Sequence, residues 1–210
     1  MQSYVKVMIA ALTAAIALSL ALSTASARTL STSEREFEIL FHPLTFEAAG
    51  NSISCPLTLL GNFIERTIPK SQTQTGRIKH VEPSTAAEPS PCTGGTLTIL
   101  NETLPWALKY TSFTGRLPNI TAVRVALTGT AFRVTPRGDV TCLAGTPVRN
   151  PAFGELLIGA GGRVEGLRAD ETISIPLSGG FLCSFASGRF SGTAGFLNLP
   201  RTASVTITLI

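Results

Sequence analysis

The chain has few of the side chains that catalytic and metal sites most often use. Its 210 residues include two histidines, His42 and His80, and two aspartates, Asp139 and Asp170. A serine triad needs a histidine held between a carboxylate and the serine, and the Gly-x-Ser-x-Gly turn of many hydrolases is missing. We therefore interpret both histidines as solvent-exposed structural residues, and we predict no catalytic residue, no metal ligand and no cofactor.

Charge is scarce as well. Charged residues make up 14% of the chain, and the formal net charge is +4. Nucleic-acid binding needs Lys and Arg concentrated in a patch, whereas the arginines here are scattered, so we predict no nucleic-acid partner. Carboxylates such as Glu36 and Glu38 would suit a glycoside hydrolase, but residues two apart share one face of any strand. We interpret this pair as a solvated strand face.

Long apolar runs are missing everywhere except at the start of the chain. Residues 1–27 combine Lys6, an apolar run over 7–22 and small residues at 25–27. This layout is typical of a secretory signal peptide, and an uncleaved membrane anchor is the alternative. We expect 28–210 to form one exported domain with no membrane span, secreted or held at the cell envelope.

The four cysteines, Cys55, Cys92, Cys142 and Cys183, all lie in the part that we expect to be exported. An oxidising compartment favours two disulfides, for which three pairings are possible. We favour Cys55 with Cys92 and Cys142 with Cys183, because each bond would close a loop of about 40 residues and stabilise the fold by roughly 3–4 kcal/mol. Zinc is the alternative, but no two cysteines have the close spacing of a structural zinc site.

Apolar and polar residues alternate in short runs between turn residues, as in half-buried strands. The predicted strands are Phe37–Phe41, Ile53–Leu59, Arg77–Glu82, Gly95–Leu100, Trp106–Phe113, Thr121–Thr128, Ala131–Thr135, Asp139–Leu143, Glu171–Leu177, Phe181–Phe185 and Ala203–Ile210. Pro56 cannot donate a ladder hydrogen bond, which places it at a sheet edge or a bulge. We predict one helical turn at Glu155–Ile158, a loop at Pro83–Pro91 and a glycine-rich connection over Gly159–Gly166.

The pattern predicts an all-β fold with little helix after the signal peptide. Regularly spaced short strands favour an antiparallel β-sandwich, with a closed or partly closed β-barrel as the alternative, because both show the same alternation.

One segment carries the aromatic residues that would suit a binding surface. Trp106 is the single Trp of the chain, and Tyr110 is the single Tyr after the signal peptide. On a strand these two share a face with Leu104 and Leu108. We predict Trp106 and Tyr110 as binding residues for a glycan or peptide, and the alternative is that both rings belong to the core.

Two stretches resemble exported bacterial β-rich proteins of uncharacterised activity. They are Cys-Pro-Leu-Thr-Leu-Leu-Gly at Cys55–Gly61, followed by Cys92, and the Leu-Pro-Trp…Tyr…Phe…Gly…Leu-Pro run at Leu104–Pro118. The resemblance spans about residues 50–145. It implies export and the disulfide framework, and it implies no activity, cofactor or catalytic residue.

We therefore expect an exported, non-enzymatic domain that binds an extracellular protein or glycan or has a structural role in the cell envelope. Two alternatives stay open: an extracellular hydrolase that uses Glu carboxylates, and a secreted protease inhibitor that presents the loop Pro83–Pro91.

Overall fold

A computed structural model describes residues 29–48, 50–70, 72–83, 92–116, 119–136, 141–169, 175–179, 183, 187–199 and 203–210. The signal peptide predicted at 1–27 lies outside these residues, as do both aspartates. Most of three predicted segments also lies outside them: the loop Pro83–Pro91 and the strands Glu171–Leu177 and Phe181–Phe185.

The described residues form an all-β fold, which confirms the predicted class. The strands are β1 (Thr29–Thr32), β2 (Glu36–Ala48), β3 (Asn51–Phe63), β4 (Thr67–Pro69), β5 (Gly76–Pro83), β6 (Gly95–Ile99), β7 (Trp106–Arg116), β8 (Asn119–Thr128), β9 (Ala131–Pro136), β10 (Cys142–Gly145), β11 (Ala152–Ile158), β12 (Val164–Ala169), β13 (Ile175–Ser178), β14 (Ser187–Ser191), β15 (Thr193–Asn198) and β16 (Ile207–Leu209). Two single 3₁₀ turns, Asn101–Thr103 and Ala160–Gly162, are the helical elements of this part of the chain.

Eight strands close into an antiparallel barrel, in the order β15-β12-β11-β8-β7-β5-β3-β2, with β2 pairing back to β15. The closing pair runs from Phe37 opposite Asn198 to Phe41 opposite Ala194. Closure gives every barrel strand two partners and removes unpaired edges. The structure therefore has the barrel that was the alternative to a sandwich.

The long ribbon of β2 and β3 belongs to two parts of the sheet. Beyond the barrel, β2 pairs with β14, and the sheet continues through β13, β10 and β9 to β6. The far end of this extension returns to β3, because Ser54 and Thr93 exchange two backbone hydrogen bonds of 3.0 and 2.9 Å. We call β14, β13, β10, β9 and β6 the second sheet.

The two parts of the ribbon meet at a bulge. The β2–β3 register shifts between Phe41 and Leu44, which inserts His42 and Pro43 opposite Pro56. The pairing of β2 with β3 is interrupted at this position, so no ladder hydrogen bond requires an N–H from Pro56. The prediction of an edge or bulge at Pro56 is confirmed.

Six strands were not predicted: the short β1 and β4, and also β11, β12, β14 and β15. The helical turn predicted at Glu155–Ile158 is wrong, since these residues are part of β11, and the connection predicted over Gly159–Gly166 holds only a short turn before β12. One glycine interrupts the alternation in each of β11, β12, β14 and β15, and where a neighbour lies close, the glycine leaves room for it. At Gly188, for example, a Cβ would lie 2.3 Å from the Phe46 ring.

A separate three-stranded sheet, in the order β16-β1-β4, joins the beginning and the end of the described chain. Its residues Leu30, Ile68 and Ile207 are buried in the same apolar cluster as the barrel interior. Val164 on β12 donates a backbone hydrogen bond of 2.8 Å to Val205, which ties this sheet to the barrel wall.

Both disulfides have the favoured pairing, Cys55–Cys92 and Cys142–Cys183. The first connects β3 with the segment before β6, directly beside the Ser54–Thr93 bridge, and the second involves β10 of the second sheet. Across the described ranges, no helix has the length and apolar character needed to cross a membrane.

Candidate functional site

A cavity of about 100 Å³ lies inside the barrel, and strands of the second sheet form part of its wall. Seven of the eight barrel strands and three strands of the second sheet contribute to its wall. The lining residues are Ile39, Phe41, Leu44, Leu57, Leu59, Ile78, Val81, Trp106, Leu108, Val125, Leu127, Thr130, Phe132, Ala152, Phe153, Gly154, Leu167, Ala169, Ile175 and Phe190.

Strand alternation explains why this wall is apolar. Ile39 pairs with Leu59 and Phe41 pairs with Leu57 across β2 and β3, so each pair points to the same side. The closed barrel turns that side inward, and the four side chains are buried. The next strands supply residues of the same kind, such as Val81 on β5.

Three aromatic rings form one side of the cavity. The Trp106 and Phe132 ring centroids lie 5.2 Å apart, and those of Phe132 and Phe190 lie 5.3 Å apart, both with edge-to-face geometry. The Phe190 ring centroid also lies 5.1 Å from that of Phe46, which extends the row from the second sheet to β2. Such pairs add about 0.5–1.5 kcal/mol each to simple burial, so this side of the wall is held firmly.

The polar atoms of the wall already have partners. The Thr130 and Thr146 hydroxyls lie 2.8 Å apart, and the Thr130 backbone N–H donates to Thr146 Oγ1 at 3.1 Å. The indole N–H of Trp106 donates to Thr103 Oγ1 at 2.9 Å. No charged side chain lines the cavity within the described ranges. The wall therefore offers a ligand van der Waals contact rather than hydrogen bonds or charge.

One side of the cavity is less tightly covered than the rest. Its lining residues on β8, β11 and β12 are only half-buried, namely Leu127, Ala152, Phe153, Leu167 and Ala169. Ala152 pairs with Leu127, and the Arg124 guanidinium stacks over the Phe153 ring at 4.7 Å. We call these five half-buried residues the mouth of the cavity, because solvent reaches the wall there.

The two predicted binding residues are both buried. Trp106 is 0% exposed and Tyr110 is 2% exposed, and both belong to the apolar core. Trp106 lines the cavity, whereas Tyr110 lies further along the same face of β7 and does not. A ligand would meet Trp106 only from inside the barrel. The binding role of these residues stays a prediction.

Burial affects both the hydrogen bonding and the pKa of the Tyr110 phenol. The phenol oxygen is enclosed and has no hydrogen-bond partner among the described residues. Desolvation raises the pKa of the Tyr110 phenol above its usual value of 10.0, because the charged phenolate would lose its hydration.

The other polar residues considered in the sequence do not converge on the cavity. His42 and His80 are exposed, and His80 Nε2 lies 3.3 Å from Glu82 Oε2. Glu36 is exposed, but Glu38 is completely buried, so the solvated face predicted for this pair is wrong at Glu38. Its register partners on the adjacent strands are Leu60 and Leu197.

The part of the chain that the structure describes holds no cluster of three or more His, Cys, Asp or Glu side chains suited to a metal ion. Sequence analysis missed most of the cavity wall, since Phe132, Ala152 and Phe190 come from strands far apart in the chain. Alternation marks such residues as inward-facing, but it carries no signal for the space left between them. Comparisons with protein families, with curated proteins and with solved structures found no match.

Proposed function

We propose that this protein is an exported, non-enzymatic binding domain that holds a small molecule inside its barrel. The observation that carries the proposal is the cavity of about 100 Å³, which has an apolar wall and a partly exposed mouth. Eight-stranded barrels have an interior just wide enough either to be filled by side chains or to hold one small ligand. In this barrel the inward-facing side chains leave about 100 Å³ unfilled.

An empty cavity has a cost in stability. Protein interiors pack as densely as organic crystals, and residual space destabilises a fold by about 24 cal/mol per Å³. A void of about 100 Å³ corresponds to about 2 kcal/mol by that measure. A ligand that fills the space recovers the lost contacts, which gives binding a driving force without any polar group.

The chemistry of the wall favours binding over catalysis. Within the described residues the lining includes no Ser, Cys, His, Lys, Asp or Glu side chain that would act as nucleophile, acid or base. Export is supported by the two disulfides together with the signal-like segment at 1–27. A hydrolase or a protease inhibitor has no comparable support.

Trp106 provides a direct test, because it is the single Trp of the chain and lies in the cavity wall. Bromobenzene, whose heavy atom quenches indole fluorescence on contact, is titrated into the oxidised protein. We expect saturable quenching by bromobenzene, whereas iodide should not quench, since Trp106 is 0% exposed.

A matched pair of variants locates the binding site. Ala152→Phe places a ring at the mouth and should weaken bromobenzene binding by about tenfold or more, because the ring takes up the available space. Ala131→Phe is the control, since Ala131 is also half-buried on a strand but does not line the cavity. Absence of saturable quenching, or equal binding by both variants, would overturn the proposal.

A further inference from the structure

The ligand class follows from the wall of the same cavity. We infer that the natural ligand is an uncharged, apolar molecule about the size of a single ring. This inference rests on the proposed binding function and adds the chemistry that the ligand must have.

The first step concerns charge. A carboxylate or ammonium group moved into this cavity would lose its hydration, and the wall returns neither an opposite charge nor a free hydrogen-bonding group. The Thr130 hydroxyl is bonded to Thr146, and the Trp106 N–H is bonded to Thr103. Burying an ion without a partner is strongly unfavourable, so charged ligands are excluded.

The second step concerns size. Drug-sized ligands occupy sites of roughly 300–1,000 Å³. The cavity here is about 100 Å³, closer to the scale of an engineered apolar cavity of about 150 Å³ that stays dry and binds benzene. The row Trp106, Phe132 and Phe190 closes one side with rings locked in edge-to-face contact. A second fused ring would require this row to move.

The third step concerns access. At the mouth, the half-buried side chains are mostly aliphatic: Leu127, Ala152, Leu167 and Ala169. The Arg124 guanidinium stacks over the Phe153 ring at 4.7 Å, and Arg124 lies opposite Glu155, which pairs with Arg168. None of these charged side chains lines the cavity within the described residues. An entering molecule therefore passes aliphatic carbon before it reaches the aromatic row.

The test uses competition against bromobenzene at Trp106 in the oxidised protein. Toluene, benzoate and benzylamine share one ring and differ in charge, while naphthalene adds a second ring without charge. We expect toluene to displace bromobenzene, and we expect benzoate and benzylammonium to bind about 100-fold more weakly or not at all. Naphthalene should bind at least about tenfold more weakly than toluene because it overfills the space.

The outcomes separate the two proposals. If bromobenzene does not quench Trp106 saturably, the binding function itself fails. If bromobenzene quenches but benzoate or benzylammonium competes as well as toluene, the function stands and the inference of an uncharged ligand is overturned. Naphthalene binding as tightly as toluene would overturn the inferred size.

Discussion

Trp106 donates its indole N–H to the hydroxyl of Thr103 at 2.9 Å, and that hydroxyl donates onward to the backbone carbonyl of Leu100 at 2.7 Å. The 3₁₀ turn Asn101–Thr103 therefore holds the ring that begins β7 and forms part of the cavity wall. Because Trp106 is completely buried, its N–H has no access to water as a substitute partner.

Replacing Thr103 should show how much the hydrogen bond from Trp106 contributes to stability. Thr103→Val removes the hydroxyl and leaves the buried indole N–H unsatisfied, so we expect a loss of about 1–3 kcal/mol in the free energy of unfolding. Thr103→Ser keeps the hydroxyl and should cost less. Urea denaturation followed by Trp106 fluorescence measures both variants, and equal stabilities for the two would contradict the structural role.

Gly61 provides a test of packing inside the barrel. A Cβ at Gly61 would lie 2.6 Å from Cε2 of Phe37 and 2.7 Å from the backbone oxygen of Arg77. The Phe37 ring has little freedom to move, because it contacts Phe63 and Phe196 at 4.8 and 5.0 Å. Gly61→Ala should therefore lower the free energy of unfolding by about 1–3 kcal/mol.

The control for this variant is Gly195→Ala, also on a barrel strand, where a Cβ would meet nothing within 4 Å. It should be neutral or slightly stabilising, because alanine restricts the unfolded chain more than glycine does. Thermal unfolding by circular dichroism compares the two. A Gly61→Ala protein as stable as Gly195→Ala would show that the Phe37 ring tolerates the extra methyl.

Tyr110→Phe should make the protein less sensitive to alkaline pH. The raised pKa means that the folded state disfavours the phenolate, so this contribution to stability is full below pH 10.0 and is lost as the pH rises through the higher folded value. The wild type should therefore lose stability as the pH rises above 10.0, and Tyr110→Phe should lose less stability over the same range.

At neutral pH the same variant should be neutral or more stable by about 1 kcal/mol, since it removes a buried hydroxyl without a partner among the described residues. Urea denaturation at pH 7 and at pH 10.5–11.5 tests both statements. A clear loss of stability at pH 7 would mean that the Tyr110 hydroxyl has a favourable interaction.

The disulfides should stabilise the fold to similar degrees. The bonds Cys55–Cys92 and Cys142–Cys183 span 37 and 41 residues, so their effects on the entropy of the unfolded chain are nearly matched. Replacing either pair by Ala should cost about 3–4 kcal/mol.

Because the two loops have similar lengths, any difference in stability between the two double variants reflects contacts in the folded protein rather than the unfolded chain. Removal of Cys55–Cys92 leaves β6 attached to β3 by the Ser54–Thr93 bridge. We therefore expect this variant alone to gain hydrogen exchange at Ser54 and Thr93, measured by mass spectrometry. Unchanged exchange at both positions would show that the bridge is sufficient without the disulfide.

Much of the local structure was predictable from the sequence. Alternation identified β2, β3 and most of the strands up to β9, because side chains on a strand point alternately to opposite faces. Pro56 marked the bulge, because proline lacks the N–H that a continuous ladder requires. The pairing of the cysteines followed from loop length, and the burial of Trp106 and Tyr110 matches the alternative in which both rings belong to the core.

The rest depended on which strands are neighbours, and alternation is silent on that. The pairing of β2 with β15 turns an open sheet into a barrel, and it joins residues more than 150 positions apart in the chain. In β12 and β14 a glycine interrupts the alternation, so these strands are recognised only by their pairing with neighbours. Glu38 is buried although its position next to Glu36 predicts a solvated face. The cavity exists only in the closed fold, since its volume is the space that side chains from ten strands fail to fill. The sequence by itself thus determined most of the strands and the face of each strand that carries apolar residues, because side chains alternate along a strand. Tertiary packing decided which strands pair, and therefore the barrel and the space within it.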